Sequence, residues 1–439
     1  MKLKYIASAM TALGLGLSVN LAHAKSLEQT VATAFNTNPE LKAVYHRYRS
    51  SEQVFKEAKG GWYPSIDLSA SVGVGEQDSQ QTRANIEDEE IEPISYGITL
   101  EQLLFDGFYT SENINRTEHE LSSEKYLLLD QAENTALEIA STYLEVLKQK
   151  QLVELAQKNL DSHQEIFEQI QLRTESGLGT TSDLSQIRGR LARAHANLIS
   201  SKNNYADTVN AYVRLVGEMP GELVSPVADQ ILLPASEGQL LDLAKDSHPT
   251  LLAASSDVRA AQAQLGQSES AYFPKVTLEL SNRVTDDNNN DNVERDELRA
   301  DLIFSYNLFR GGQDKAKELQ SAYQIEQAKE LQISAMRQVV EGAKFAWNAY
   351  QFTEDQITHL QLHVEQSYLT QQAYKKQFDL GRRTLLDLLD TENELFEARR
   401  NYIDAEANYI VAKYRVLNSM GRLLKGLRIN SAVYWQGIE

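Results

Sequence analysis

The sequence contains no cysteine. That removes structural disulfides, thiolate metal sites and a lipid-modified N-terminal cysteine. Long apolar runs are also scarce: beyond the first 24 residues, no stretch reaches the ~18 apolar residues of a transmembrane helix. Cationic excess is absent, with 43 Lys and Arg against 62 Asp and Glu and a net charge of −19. This balance argues against nucleic acid as a partner. The eight histidines are scattered, and none forms an i,i+4 pair beside a glutamate base. Gly177-x-Gly179 lacks both the third glycine and the preceding strand of a nucleotide fingerprint, so it reads as a turn. Asp286, Asn288, Asn290, Asn292 and Glu297 imitate a calcium loop, but Asp291 stands where that loop needs glycine. No catalytic motif is present, and neither a cofactor nor a metal is expected.

Proline is sparse and unevenly placed. All eight prolines fall outside two long segments, about 108–177 and 313–381. Since an internal proline removes a helix hydrogen bond and clashes with the preceding turn, each segment is free to be helical throughout. In the first, Leu129, Ala132, Ala136, Ile139, Tyr143, Val146, Val153, Leu160 and Phe167 follow one seam with 3,4 spacing. Lys150, Gln157 and Gln164 fill its remaining positions. The pattern predicts a helix of roughly 100 Å packed beside others in a tube or bundle. A turn at Gly177-Leu178-Gly179 leads into a return helix over about Ser182–Val216. A third helix is expected from about Glu237 to Ala271, beyond an irregular segment holding Pro220, Pro226 and Pro234. Stacked end to end, these two half-length helices match one long one.

The amino terminus reads as a secretory signal spanning residues 1–24. Lys2 and Lys4 precede an apolar stretch from Ile6 to Leu21, and Ala22-His23-Ala24 follows the A-x-A cleavage pattern. The mature chain is expected to start at Lys25; an uncleaved anchor is the rival reading.

Between the helices the period changes to two. Ile66, Leu68, Ala70, Val72 and Val74 alternate with Ser65, Asp67, Ser69, Ser71 and Gly73. A polar stretch with an acidic run from Glu87 to Glu92 separates this from a second alternation of Ile94, Tyr96, Ile98, Leu100 and Leu104. Strands of about ten residues with one apolar face suit a barrel in an outer membrane, apolar face to lipid. A soluble two-sided sheet uses the same alternation.

Everything then recurs. Asn38-Pro39 reappears as His248-Pro249, and Trp62-Tyr63-Pro64 as Tyr272-Phe273-Pro274, both displaced by 210. Val276, Leu278 and Leu280 make a third alternating face; Leu298, Ala300, Leu302, Phe304, Tyr306 and Leu308 make a fourth. Phe105-Asp106-Gly107 returns as Phe309-Arg310-Gly311, displaced by 204, and the seam returns at that displacement from Ile333 through Trp347 to Val364. Gly177 maps to Gly381, Asp183 to Asp387 and Gly217 to Gly421. Agreement at so many positions is an internal duplication. It divides the chain into a first repeat over 25–235, a second over 236–427 and a tail over 428–439.

One chain offers four strands, whereas spanning barrels start at eight and an open edge cannot face lipid. Three chains give twelve, the smallest multiple that leaves a pore. Trp62, Tyr63, Phe105, Tyr272, Phe273 and Phe309 cluster at the helix-side strand ends. They read as a girdle at a membrane interface, with ordinary packing at the sheet–helix junction as the alternative.

With these markers the chain from about Ser26 to Leu424 resembles the TolC family of trimeric outer-membrane channel-tunnels. The W-Y-P and Y-F-P breaks and the F-D-G and F-R-G turns carry the resemblance. So does the segment Phe378-Asp379-Leu380-Gly381-Arg382-Arg383-Thr384-Leu385-Leu386-Asp387-Leu388-Leu389-Asp390. The resemblance implies an α+β membrane protein: a long α-helical barrel joined to a transmembrane β-barrel, built by three chains of four strands each. It implies residence in the outer membrane with extension into the periplasm, contact with outer-membrane lipid, and a homotrimer. Its partners are a periplasmic membrane-fusion adaptor and an inner-membrane ABC exporter or proton-driven pump. Its function is that of a passive exit duct for type I secretion of a protein such as an adhesin or toxin; small-molecule efflux is the alternative, and a soluble periplasmic coiled-coil adaptor the reading from another class. The entrance residues it implies are Asp183, Phe378, Arg383, Asp387 and Asp390, with Asp387 and Asp390 ringing a narrow opening and Asp183 a candidate partner of Arg383. Gly177, Gly179 and Gly381 mark the tip turns, where an adaptor would dock. Phe378 stands where similar proteins often carry tyrosine, so no hydroxyl is available there to hold the entrance closed. An ordinary solvated helix end uses the same charges.

Overall fold

Two helices of 67 residues dominate the computed structural model, which describes residues 25–77, 89–228, 230–287 and 294–435. The expected signal segment, part of the acidic run, the asparagines of the calcium-like loop and the last four residues of the tail lie outside the described residues. In chain order the elements begin with α1 (Leu27–Thr37), α2 (Pro39–Gly60), β1 (Ser65–Val72), β2 (Gly75–Gln77), β3 (Glu89–Ile91) and β4 (Pro93–Phe105). Next come α3 (Tyr109–Glu175), α4 (Thr181–Val216), α5 (Glu237–Ser247) and α6 (Pro249–Glu269). The chain continues with β5 (Lys275–Asp287), β6 (Arg295–Ser305), α7 (Gln313–Asp379), α8 (Leu385–Ser419), α9 (Leu423–Gly426) and α10 (Ser431–Tyr434). The β2–β3 hairpin was not legible in its acidic sequence, and the fourth alternation outruns β6, which ends before Tyr306.

Prolines punctuate the fold as their chemistry requires. Pro39 and Pro249 open α2 and α6, where the first-turn N–H has no helical partner to lose. The single helix expected over 237–271 is therefore two, because residue 248 before Pro249 is held extended, at φ −67° and ψ 124°. Asn38 and His248 cap the helices that follow, accepting backbone N–H bonds from Glu40 and Leu41 and from Thr250.

The half-length helices stack, but not in the pairs that chain order alone indicated. Thr37 Oγ1 donates to the Val216 carbonyl at 2.7 Å, so α4 ends where α2 begins. Ser247 Oγ donates to the Met420 carbonyl at 3.0 Å, so α8 ends where α6 begins. Each joint closes on a left-handed glycine, Gly217 at φ +83° and Gly421 at +65°. A Cβ at Gly421 would lie 2.5 Å from Pro249 Cδ, which leaves no room for another residue. The wall thus runs α2/α4 stack, α3, α6/α8 stack, α7.

The core is thickest at these joints. Leu27, Phe35, Tyr143, Tyr212, Trp347, Tyr414, Leu417 and Met420 pack there, and the tail closes it: Trp435 is buried, stacked on Phe35 at 5.1 Å. Burying aliphatic side chains of this size contributes about 1.5–3 kcal/mol each. The Tyr143 hydroxyl lies 2.7 Å from the carbonyls of Lys25 and Val224 and accepts the Val224 N–H at 2.9 Å, tying the start of the described chain to the irregular segment.

Strands β1, β4, β5 and β6 form one antiparallel sheet in the order β1-β4-β5-β6. Its register places apolar opposite apolar: Leu68 faces Ile98, Leu100 faces Leu280 and Val276 faces Phe304. Asp67, Ser69, Thr99 and Ser281 share the opposite face. Among the described residues no helix is long and apolar enough to cross a membrane.

Candidate functional site at the hairpin tips

The end of the molecule far from the sheet is built by two helical hairpins, α3–α4 and α7–α8. Both helices leading into it end in the same way. Gly177 N–H donates to Thr174 O at 3.1 Å and Leu178 N–H to Arg173 O at 2.8 Å. Gly381 N–H donates to Phe378 O and Arg382 N–H to Gln377 O, at 2.9 and 2.8 Å. These are paired Schellman closures, and they require the positive φ of Gly177 (+74°) and Gly381 (+71°). Gly179 serves differently: a Cβ there would meet Thr174 Oγ1 at 2.8 Å.

Threonine then opens each return helix. Thr180 accepts the Asp183 N–H at 3.1 Å, and Thr384 accepts the Asp387 N–H at 3.2 Å. In the second hairpin the bond is returned, because the Asp387 carboxylate accepts from the Thr384 N–H and hydroxyl. This capping box holds the Asp387 carboxyl below the usual range: the Thr384 hydroxyl contributes most, then its N–H, with Arg383 nearby. Thr384 was missed from sequence, although the T-x-x-D pattern at 384–387 announces it.

A small apolar core supports the tip. Phe378 is buried among Ile166, Ile170, Ile187, Leu385, Leu388 and Leu389, with the Arg173 guanidinium 4.9 Å from its ring centre. Within one chain Phe378 therefore packs and does not line an opening. Asp183 and Arg383 are not brought together: Arg383 Nε donates to Gln377 Oε1 at 3.0 Å, and its guanidinium lies 4.1 Å over the Tyr374 ring. Asp390 instead reaches Arg190 of the other hairpin, Oδ1 to Nη2 at 3.0 Å. Arg190 had no motif to mark it, since its pairing depends on how the hairpins lie together. Leu178 and Leu380 project from the two turns into solvent.

At the other end the aromatic residues form a band where strands meet helices. Trp62, Tyr63, Tyr272, Phe273 and Phe309 are exposed, and Phe105 is half-buried. Phe108 packs edge-on against both Phe105 and Phe273, at 5.4 and 5.8 Å. Beside them a solvent-open volume of about 1320 Å³ is lined by Glu101, Asp106, Arg116, Lys275, Arg310 and Lys317.

A hairpin-tipped helical wall carrying a sheet with one apolar face defines an outer-membrane channel of the TolC type. The chain belongs to the outer membrane efflux protein family, whose profile matches residues 30–218 and 240–422. It is 25% identical over 420 residues to the outer membrane efflux protein BepC of Brucella suis, covering 95% of this chain and 90% of that one. It is 23% identical over 397 residues to the alkaline protease secretion protein AprF of Pseudomonas aeruginosa, covering 87% and 82%. The fold matches the Campylobacter jejuni CmeC outer membrane channel with a TM-score of 0.80 at 14% identity, over 90% of this chain and 86% of that chain.

Proposed function

We propose that three copies close side by side into one passive exit duct and that its cargo is protein, delivered by a type I secretion system. The observation that carries the duct is the sheet. Its outer strands, β1 and β6, each leave one edge unpaired, and its four strands present an apolar face fit for lipid. Three copies supply twelve strands and a wall of long helices, with the hairpin tips as the periplasmic entrance. Arg383, Asp387 and Asp390, with Asp183 on the facing hairpin, are the charges we place there. Energy comes from partners, an inner-membrane ABC exporter reached through a periplasmic adaptor that docks at the Gly177 and Gly381 turns. The chain's membership of a family of outer membrane efflux proteins supports a role as a channel without catalysis.

Protein cargo is favoured by the absence of a lipid-anchor cysteine and by the near-full-length likeness to AprF, a secretion protein. A second reading, small-molecule efflux, rests on the likeness to BepC, an efflux protein. Deleting the gene separates them. Loss of one or more extracellular proteins with unchanged drug tolerance is the expected result. An intact secretome with lowered tolerance would overturn the secretion reading. Recovery as soluble monomer, in place of a heat-resistant trimer in outer-membrane detergent extracts, would overturn the duct itself.

A further inference from the structure

Helix α7 carries the chain's one pair of histidines spaced i,i+4, His359 and His363. That spacing is one helical turn, so the two imidazoles rise from one stripe with Cβ atoms roughly 6 Å apart. Two histidines so placed are the arrangement by which a helix holds a transition-metal ion from one face. Leu360 follows His359, so the glutamate base of a metalloprotease pattern is missing. The carboxylate comes from another helix. Glu394 of α8 lies across the hairpin, and its Oε1 is 2.8 Å from His363 Nε2. Spacing alone did not reveal this contact, because it depends on α8 returning alongside α7.

Nitrogen and oxygen donors sit about 2.0–2.2 Å from a zinc ion, so two donors on one ion are about 3.0–3.4 Å apart at octahedral to tetrahedral angles. The His363–Glu394 contact falls just short of that separation. A small widening turns it into one edge of a coordination shell. Both side chains are partly in water, 43% and 61% exposed, which leaves room for an ion and its remaining water ligands. Among the described residues no three histidine or carboxylate side chains converge on one point as they stand. His359 is exposed, and exposed side chains change rotamer within picoseconds to nanoseconds, so it is free to turn in and complete the set.

The duplication supplies an internal control. Displaced by 204, the counterparts of His359, His363 and Glu394 are Leu155, Asn159 and Arg190. Leu155 is buried, and Arg190 is bound to Asp390. The first hairpin therefore pairs the same two helices with no imidazole or carboxylate at any of the three places. The trio is not a requirement of the shared fold.

We infer that His359, His363 and Glu394 form a transition-metal site that clips α7 to α8. Two imidazole nitrogens with one carboxylate oxygen suit Zn²⁺, Ni²⁺ or Cu²⁺, whereas Mg²⁺ and Ca²⁺ take oxygen ligands. The site lies about 24 Å from the end of α7 at Asp379. An ion there holds the two helices together well behind the tip turn and uses no residue assigned to the entrance. It requires the α7–α8 hairpin and not the trimer.

The test uses the full chain, purified in detergent without a histidine tag and dialysed against Zn²⁺ or Ni²⁺. One ion per chain is expected to bind saturably, and Mg²⁺ at the same concentration is not expected to compete. His359→Ala and His363→Ala should each weaken binding at least about tenfold, and Glu394→Gln by a smaller factor. His46→Ala and His195→Ala, which change exposed histidines elsewhere, should bind as the unaltered protein does. Hydrogen exchange gives a second readout. Zn²⁺ should slow amide exchange around His363 on α7 and around Glu394 on α8, and Glu394→Gln should abolish the effect on α8. No saturable binding, or equal binding when both histidines are replaced by alanine, overturns the site. Binding lost in Asp355→Asn, one turn before His359, but kept in Glu394→Gln would draw the carboxylate from α7 alone and overturn the clip.

Discussion

Arg190 and Asp390 meet across the two hairpins, Nη2 to Oδ1 at 3.0 Å, with side chains 27% and 60% exposed. A pair so exposed contributes about 0–1 kcal/mol per chain, too little to fasten the tip alone. Its larger effect is on charge, because it neutralises one of the two aspartates assigned to the entrance. In the proposed trimer Arg190→Ala therefore frees three carboxylates near a narrow opening, and such a ring attracts cations. Cation-over-anion selectivity in planar bilayers is expected to rise for Arg190→Ala and to fall for Asp390→Asn. The double variant removes both charges, so the net charge matches that of the native pair and selectivity is expected to return close to that of the unaltered protein. Unchanged selectivity in Arg190→Ala would remove Asp390 from the entrance.

Arg383 acts within its own hairpin. Its stack on Tyr374 and its bond to Gln377 hold the chain leaving the turn against the helix entering it. Arg383→Ser removes both contacts and is expected to raise single-channel conductance. Arg383→Lys keeps the charge but loses the planar stack, so its conductance should fall between the two. Equal conductance in all three would reject a gating role for the residue.

Thr384 fixes where α8 starts. Thr384→Ala leaves the Asp387 N–H without its cap and costs about 1 kcal/mol per chain. The tip turn should then open more often, and trypsin should cut after Arg382 and Arg383 faster than in the unaltered protein. Ser at 384 restores the cap and should restore resistance. Identical cleavage rates for alanine and serine would show that the cap does not control the turn.

Much of this architecture could be read from spacing alone, for a physical reason. Proline-free seams, alternating strands and a repeated order of breaks are local patterns, and α3, α7 and the four long strands follow them closely. The order of stacking was less legible. Which half-helix continues which depends on Thr37 meeting Val216 and Ser247 meeting Met420, contacts between residues more than 170 positions apart. The tip shows the same division. Gly177 and Gly381 were visible because a left-handed turn demands glycine, but Phe378 in a buried core and Arg190 beside Asp390 depend on two hairpins lying together. The tail was silent in sequence for that reason too; Trp435 acquires its role only by stacking on Phe35.

Two titratable groups at the α6/α8 joint give opposite pH dependence. Glu133 is buried, and burial pushes its pKa up to about 8 against the lowering effect of the Leu424 and Leu423 N–H groups, while Asp130 adds to the rise. The native state then holds a proton that the unfolded state releases near 4.5, the ordinary value. This contribution is complete below that value and is lost as pH rises through about 8, amounting to roughly 3–5 kcal/mol across the interval. Burial lowers the His248 pKa below 6.5, with Asp130 opposing it. Here the unfolded state binds the extra proton, so stability is complete above 6.5 and declines as pH falls below it. Protonation also removes the Nδ1 lone pair that caps α6 through Thr250. Thermal midpoints of detergent-solubilised protein, followed by circular dichroism from about pH 5 to 9, should decline between about 6.5 and 8, where the Glu133 loss is unopposed, and change less below 6.5, where the two slopes oppose each other. Glu133→Gln should flatten the alkaline side and uncover the acid decline of His248. His248→Asn copies the Asn38 cap of the first repeat, keeps α6 capped and should leave midpoints that rise as pH falls below 6.5. An alkaline decline that survives Glu133→Gln would mean that another group governs it, and an acid side unchanged by His248→Asn would remove His248 from the pH response.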